Sequence, residues 1–557
     1  MPNETPVPNI DDTTFFKPLP PGDGFPFNYQ PSRIDRSALY AINKIFDTSK
    51  VSEVRTQYHR AKINLADLRH DLLEYQSPKV GRLEDPAYYT IFESVDKDVF
   101  GDCKAIPLTH GCVASRMDLP RQKSPGLPLK LQGYKTKGEA LDDPEILNAI
   151  RKQWYAIERR EDVTLPDVAC YARAQICSRD KNKVRATWGY PLTVYLSEGQ
   201  FFYPILDALK SRPQPKIAYG IEIGTGGMQY INEMASHYHN ANYLVGDWSK
   251  FDKTIPAWLI RDAFKMIARH IDFSQVQSPD GQLWPVRPSK TKRRWAALIK
   301  YFIDTPVQLS SGERFIKHGG VPSGSCFTNL IDGIVNAIVT RLIVYSMTGK
   351  LPLDDVYLGD DIFAITEGPL DLECFAEIAW EKFSMRFNPE KSYQTAKKEN
   401  IHFLGYFNIH GVPYKPIDTI IASAIYPERP TETILETAIR LVGQGYSCFE
   451  PRDATKMFLA ARILLSELDD LTDDMVQEFM HDHQHWFKYL NTLGINVRTL
   501  VVPKVKMHET TWLTLPGAPR RQWKPTHHDL TSLAVLAYHK WTLEEEDYAI
   551  YEDPSYA

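Results

Sequence analysis

The chain has 557 residues, 43% hydrophobic and 12% aromatic, which excludes a disordered polymer and suits two or three subdomains better than one small core. A formal net charge of -5 excludes a global basic field, so any contact with nucleic acid has to come from local clusters. Seven cysteines (Cys103, Cys112, Cys170, Cys177, Cys326, Cys374 and Cys448) include no Cys-x-x-Cys pair, which favours free thiols in a reducing compartment.

Residues 1 to about 32 are rich in proline, with Pro18, Pro20 and Pro21 close together, and are expected to form an extended arm ordered only against a folded surface. From 33 to 100 the pattern is helical, with Leu65, Leu68, Leu72 and Tyr75 on one face. Residues 121 to 137 carry Arg121, Lys123, Lys130, Lys135 and Lys137 around the rigid loop Ser124-Pro125-Gly126-Leu127-Pro128. Such a loop either holds a phosphate backbone or is simply solvated. A second basic cluster, Arg173, Arg179, Lys181, Lys183 and Arg185, ends in an alternating strand that sets its cations on one face, an arrangement suited to a triphosphate. A third cluster, Arg287, Lys290, Lys292, Arg293 and Arg294, is expected to precede a helix starting near Trp295. It fits an exposed helix start as well as a role with nucleic acid.

The stretch Gly224-Thr225-Gly226-Gly227 imitates a cofactor loop, but no repeated βαβ pattern surrounds it, so a structural turn is expected. At Tyr243 to Asp252 a short apolar strand ends on Asp247, and Asp252 follows where the chain turns into a helix. Asp252 serves either as a second pocket carboxylate or as a helix-start residue. The loop His318 to Asn329 is rich in glycine and serine and leads into a continuous apolar helix. Its most apolar run, Ile331 to Met347, is interrupted by Asp332, Asn336 and Arg341 and is not expected to span a membrane. With no basic-then-apolar leader after Met1, a soluble intracellular protein without membrane contact is expected.

Val356 to Ile365 is the stretch around which the rest is arranged. Apolar residues flank Gly359-Asp360-Asp361 on both sides, predicting two strands joined by a tight turn with adjacent carboxylates at its tip. Like charges side by side call for a cation, and Mg²⁺ accepts one or two carboxylates together with substrate phosphates. Lys391 lies in a turn after the next helix, and Phe403-Leu404-Gly405 forms a short strand and turn. From 415 onward the pattern is helical, including Met457 to Leu468 and Met475 to Leu490. His481, His483 and His485 invite a metal reading, which is disfavoured because only His481 and His485 would share a helical face. The acidic, aromatic tail from Glu544 to Ala557 is expected to be loose or docked.

Taken in order, these motifs resemble the palm of a viral RNA-dependent RNA polymerase. Asp247 and Asp252 match its first palm motif, Ser323-Gly324 with Thr328 the second, and Gly359-Asp360-Asp361 the third. Lys391 matches the fourth and Phe403-Leu404-Gly405 the fifth, while Arg179 to Arg185 is similar to the basic fingers motif and Ser124 to Pro128 to the template-guiding loop. The fuller wording, such as Gly246-Asp247-Trp248-Ser249-Lys250-Phe251-Asp252, is similar to polymerases of partitiviruses, segmented double-stranded RNA viruses. One departure stands out: Asp332 occupies the place where many positive-strand relatives carry asparagine, with Asn329 nearby.

The resemblance implies a mixed α/β (α+β) right hand, with a small antiparallel palm sheet and largely helical fingers and thumb. Its expected division is 1–32 extended arm, 33–190 fingers, 191–272 palm with the fingers–palm junction, 273–318 fingers return, 319–414 palm and 415–557 thumb and tail. It implies Asp247, Asp360 and Asp361 as ligands of Mg²⁺ (or Mn²⁺) and Lys391 as general acid. Arg179, Lys183 and Arg185 would contact the triphosphate, and Asp252, Ser323, Gly324, Thr328 and Asn329 the nucleotide and its ribose. Ser124, Gly126 and Pro128 would touch template RNA. Implied partners are viral RNA template and product, NTPs and a capsid protein; the implied location is the virion interior and the host cytoplasm. A reverse transcriptase, a non-enzymatic RNA-binding virion protein and a methyltransferase remain as rivals.

Overall fold

A computed structural model describes residues 15–503. The expected acidic tail, the start of the extended arm and the end of the thumb segment lie outside the described residues.

At the centre is a four-stranded, fully antiparallel sheet in the order Asp354–Leu358, Asp361–Thr366, Asn242–Gly246, Tyr393–Thr395. Side chains of a strand alternate between faces, and here the alternation separates two cores. Leu244, Tyr357, Ile362 and Ala364 join the core that contains the helices Ala257–Ala268 and Thr328–Thr348. Tyr243, Val356, Phe363 and Ile365 join the other, with Gly227–Ser236 and the helices beyond 415. Both faces are therefore dry, which explains the unbroken apolar runs on either side of Gly359-Asp360-Asp361. The helix Thr328–Thr348 is long and apolar enough to cross a membrane, but it is buried within the fold.

A second sheet gathers three distant segments in the order Phe16–Leu19, Arg314–Lys317, Pro306–Gln308, Val168–Ala174, Val184–Gly189. The N-terminal arm is thus held by strand pairing from residue 16, and by Gly22 N donating to Gly312 O at 2.8 Å beyond it. The last helices, Ile417–Ile425, Ile434–Tyr446 and Pro451–Ser466, share their core with Arg36–Ile45 and Thr48–Gln57 from the start of the chain. Buried Asp35 fastens that union, accepting from Arg440 Nη2 at 2.9 Å and Thr437 Oγ1 at 2.8 Å while capping its own helix.

Three local expectations are corrected or refined. The helix expected near Trp295 begins at Pro288, because Pro is well suited to a first helical turn. The third basic cluster therefore lies largely on the helix, where buried Arg294 pairs with Glu158 at 2.6 Å. The helix expected over Met475 to Leu490 stops at Asp482 and continues as a 3₁₀ segment, Gln484–Leu493, so His481 and His485 share no helical face. The turn at Gly224–Gly227 is structural: a Cβ on Gly224 would stand 2.6 Å from Leu493 O, and Gly226 has φ +105°.

Candidate active site

The hairpin tip is built by Gly359, whose φ of +59° suits a residue without a Cβ. Strand register places Ile362 opposite Gly246, so Asp361 and Asp247 emerge side by side at the same end of the sheet. A turn from the next segment pins Asp247: its N–H donates to Ser392 Oγ at 2.8 Å, and Asn388 N donates to Asp247 O at 2.8 Å. The same turn carries exposed Lys391.

Asn336 holds these elements together. Its Nδ2 donates to Gly359 O at 3.0 Å and Asp361 O at 3.3 Å, while its Oδ1 accepts from Trp248 Nε1 and Thr340 Oγ1, each at 3.1 Å. One fully buried amide thus joins both carboxylate-bearing strands to the central helix. Sequence reasoning missed this role, although the signal was visible: Asp332, Asn336 and Arg341, the residues that argue against a membrane span, all turn toward the strands of the central sheet or the carboxylates beside them. Arg341 pairs with buried Asp355 at 2.7 Å, and Asp332 meets Asp252.

The carboxylates bear on one another. Burial, then the charges of Asp360 and Asp247, push the Asp361 carboxyl up to about 7. Asp360 is raised by desolvation and by Asp247, while Arg185 and Lys183 pull it down. Lys183 is lowered by desolvation and by Arg185 and Lys391, and raised by Asp247. Lys183 and Arg185 are thus near enough for their charges to act on Asp360, and Lys391 near enough to act on Lys183. Arg179 Nε donates to Arg55 O at 2.6 Å.

Asp252 and Asp332 face each other within hydrogen-bonding reach. Burial, then the charge of Asp252, drives the Asp332 carboxyl well above the ordinary range. Beside this pair, Ser323 Oγ accepts from Trp188 N at 3.1 Å, and a Cβ on Gly324 would lie 1.5 Å from Trp188 O. Only glycine fits there. The Thr328 hydroxyl is buried and donates within its own loop, to Pro322 O at 2.7 Å or Ser325 O at 3.0 Å, so it braces the loop instead of facing the pocket. Asn329 is exposed, and its Oδ1 lies 3.8 Å from where a Cβ on Gly359 would be.

The same loop is held from below by Glu198, which accepts from Ser325 Oγ and, at 3.2 Å, from Cys326 N. Burial pushes its carboxyl up to about 8 from 4.5. A raised folded-state pKa means that its stabilising contribution is complete below about 4.5 and is lost as pH rises through about 8. Glu198→Gln should flatten this part of the pH profile, and melting temperatures from roughly pH 5 to 9 would check it. An unchanged slope would remove Glu198 as its source.

In the loop from Ser124 to Pro128, Ser124 Oγ lies 3.0 Å from Tyr171 OH, and Gly126 has φ +69°. A Cβ on Gly126 would meet Tyr190 O at 2.6 Å. Pro128 is exposed and follows a cis peptide bond. Lys137 is buried and donates to Ser124 O at 2.7 Å, so it supports the loop, while Lys123 and Lys135 remain exposed.

The donor set suits a hard divalent cation, being all carboxylate oxygen with mutual repulsion for such a charge to relieve. Among the described residues no three acidic, histidine or cysteine side chains already close into a metal cluster. That is compatible with Mg²⁺, which takes few protein ligands and keeps phosphate and water.

The fold is that of a right-handed viral polymerase. It is similar to the Sicinivirus 3Dpol RNA dependent RNA polymerase, with TM-score 0.62 and 15% identity, covering 86% of this chain and 99% of that one. The family model for viral RNA-dependent RNA polymerase matches residues 46–439, and the chain belongs to this family. Similar relatives are the RNA-directed RNA polymerases of Atkinsonella hypoxylon virus (28% identical, 49% of this chain, 47% of that protein) and Cryptosporidium parvum virus 1 (27%, 58% and 62%). A third, from White clover cryptic virus 1, is 24% identical over 49% of this chain and 47% of that protein. The chain thus spans about half to three-fifths of the length of these relatives. Polymerases of this family generally use divalent metal ions.

Proposed function

We propose that the chain is an RNA-directed RNA polymerase of a double-stranded RNA virus, carrying out template-directed nucleotidyl transfer for genome replication and transcription. The observation that carries the reading is the meeting of Asp247, Asp360 and Asp361 with Lys183, Arg185 and Lys391 at one end of the central sheet. Mg²⁺, or Mn²⁺ in its place, held by Asp247, Asp360 and Asp361 would supply the Lewis acidity that activates the primer 3′-hydroxyl and stabilises the leaving pyrophosphate. Lys183 and Arg185 neutralise charge on the triphosphate. Lys391, exposed beside them, is the group to protonate the pyrophosphate. Arg179, whose Nε is held by Arg55 O at 2.6 Å, joins Lys183 and Arg185 in neutralising the triphosphate. Asp252, oriented by Asp332 and flanked by Ser323 and Asn329, accepts a hydrogen bond from the ribose 2′-hydroxyl, and Gly324 allows the loop's close packing. Template RNA runs past Ser124, Gly126 and Pro128.

The hand divides into fingers at 33–190 with a return at 273–318, palm at 191–272 and 319–414, and thumb from 415. The shared sheet of Val168–Ala174 and Pro306–Gln308 supports the return segment. A capsid partner, and residence in the virion and host cytoplasm, rest on the family resemblance.

The test is incorporation of labelled NTPs on a short single-stranded RNA template. Product that requires RNA, NTPs and Mg²⁺ or Mn²⁺ is expected. A preference for dNTPs would favour a reverse transcriptase, and metal-independent RNA binding without synthesis would favour a non-enzymatic virion protein.

A further inference from the structure

The helix Leu65–Leu73 and the turn Glu74–Gln76 after it lie outside every motif that resembles a polymerase, yet they touch three of them. Leu68, Leu72 and Tyr75 recur at helical spacing and are buried in the core that holds Ala257–Ala268 and Thr328–Thr348. Asp71 and Glu74, also at helical spacing, form the neighbouring face. That face meets a strand on one side and a turn on the other.

The strand is Val184–Gly189, which carries Arg185. It is an edge strand, paired with Val168–Ala174 on one side only. An edge leaves the N–H groups of alternate residues without a ladder partner, and here side chains take the place of the missing strand. Ala186 N donates to Asp71 Oδ2 at 2.7 Å, and Trp188 N donates to Ser323 Oγ at 3.1 Å. The second oxygen of Asp71, Oδ1, accepts from Lys253 Nζ at 2.5 Å. Lys253 also reaches Glu74 Oε2 at 2.7 Å, and Lys250 Nζ pairs with Glu74 Oε1 at 2.8 Å. Lys250 has φ +55°, a backbone conformation that costs energy in a lysine, so the turn between Asp247 and Asp252 is held in place by its surroundings.

Ala186 directly follows Arg185, and Lys253 directly follows Asp252. One carboxylate therefore ties down the neighbours of both, across sequence separations of 115 and 182 residues. Tyr75 closes the triangle: its OH donates to Val321 O at 2.8 Å, and Val321 N donates to Asp252 O at 2.7 Å. We propose that Asp71 is a positioning residue for nucleotide selection, setting the spacing between Arg185, beside the triphosphate, and Asp252, beside the ribose 2′-hydroxyl. The inference rests on the polymerase reading, which gives Arg185 and Asp252 those tasks. A small displacement of a group that positions substrate is enough to cost a large factor in rate, so the tie acts on selection without touching the nucleotide.

The experiment compares kcat/KM for ATP and for 2′-deoxy-ATP on an RNA template calling for adenosine, with melting temperature read on the same preparations. Asp71→Ala should lower the ATP value about 10-fold or more beyond any loss with 2′-deoxy-ATP, because only ATP has a 2′-hydroxyl to misplace. Asp71→Asn keeps an acceptor for Ala186 N and gives up the charge facing Lys253. It should show a smaller loss of the same kind, and it serves if the alanine variant does not fold. Asp71→Ala added to Asp252→Asn should discriminate no worse than Asp252→Asn alone, since one acts through the other. Arg69→Ala, which breaks an ion pair with Glu313 at 2.7 Å on the same helix, should leave the ratio unchanged. A lower melting temperature with an unchanged ratio in both Asp71 variants would overturn the proposal and leave the polymerase reading standing. So would an equal loss of discrimination in Arg69→Ala, or losses that add in the double variant. A wild type that incorporates neither nucleotide would overturn both readings.

Discussion

Asp360→Ala should lower NTP incorporation by about 10³-fold or more while leaving RNA affinity within about twofold of wild type. The side chain sits at the tip of a tight turn and contributes no bond to either core, so its removal takes away charge without disturbing packing. It also relieves the repulsion felt by Asp361, whose carboxyl should return toward its ordinary range. Single-turnover extension of a labelled primer, with anisotropy on the same preparation, separates catalysis from binding. Full extension by the variant would end the assignment of Asp360 to the reaction.

Asn336→Leu should be the most damaging change away from the pocket surface. Leucine matches the volume but leaves Trp248 Nε1, Gly359 O and Asp361 O without the amide they now share. A buried polar group deprived of its partner costs about 1–3 kcal/mol, so a loss of roughly 3–5 kcal/mol is expected in denaturant unfolding. Incorporation per folded molecule should fall as well, by about 10²-fold, because the turn carrying Asp360 and Asp361 loses its tether to the Asp247 strand. Loss of stability with unchanged turnover would make Asn336 a purely structural residue. Unchanged stability and turnover would remove the tether altogether.

Much of the centre was legible because its signals are local. A turn between apolar strands needs a glycine and exposes the residues just after it, so Gly359, Asp360 and Asp361 declared themselves within a short stretch. The strand ending at Asp247 and the alternating cations of Lys183 and Arg185 were legible for the same reason, since period-two patterning is a property of the strand alone. Arg179 and Lys137 were legible as charges but not as partners. One is anchored to a carbonyl of Arg55 and the other is buried beneath Ser124, and spacing predicts neither contact. Thr328 matched its motif, yet its hydroxyl is committed inside the loop.

By itself, then, the sequence determined the order of motifs, the antiparallel carboxylate turn, the resemblance to viral polymerases and the type of chemistry those residues can support. Tertiary structure alone decided that Asn336 ties the two carboxylate strands together, that Glu198 holds the serine-rich loop, and that Asp332 stands beside Asp252. The physical reason is range. Turn and strand preferences act between neighbours in the chain, whereas a buried amide or carboxyl is satisfied by whatever group packing brings within about 3 Å, here often more than a hundred residues away.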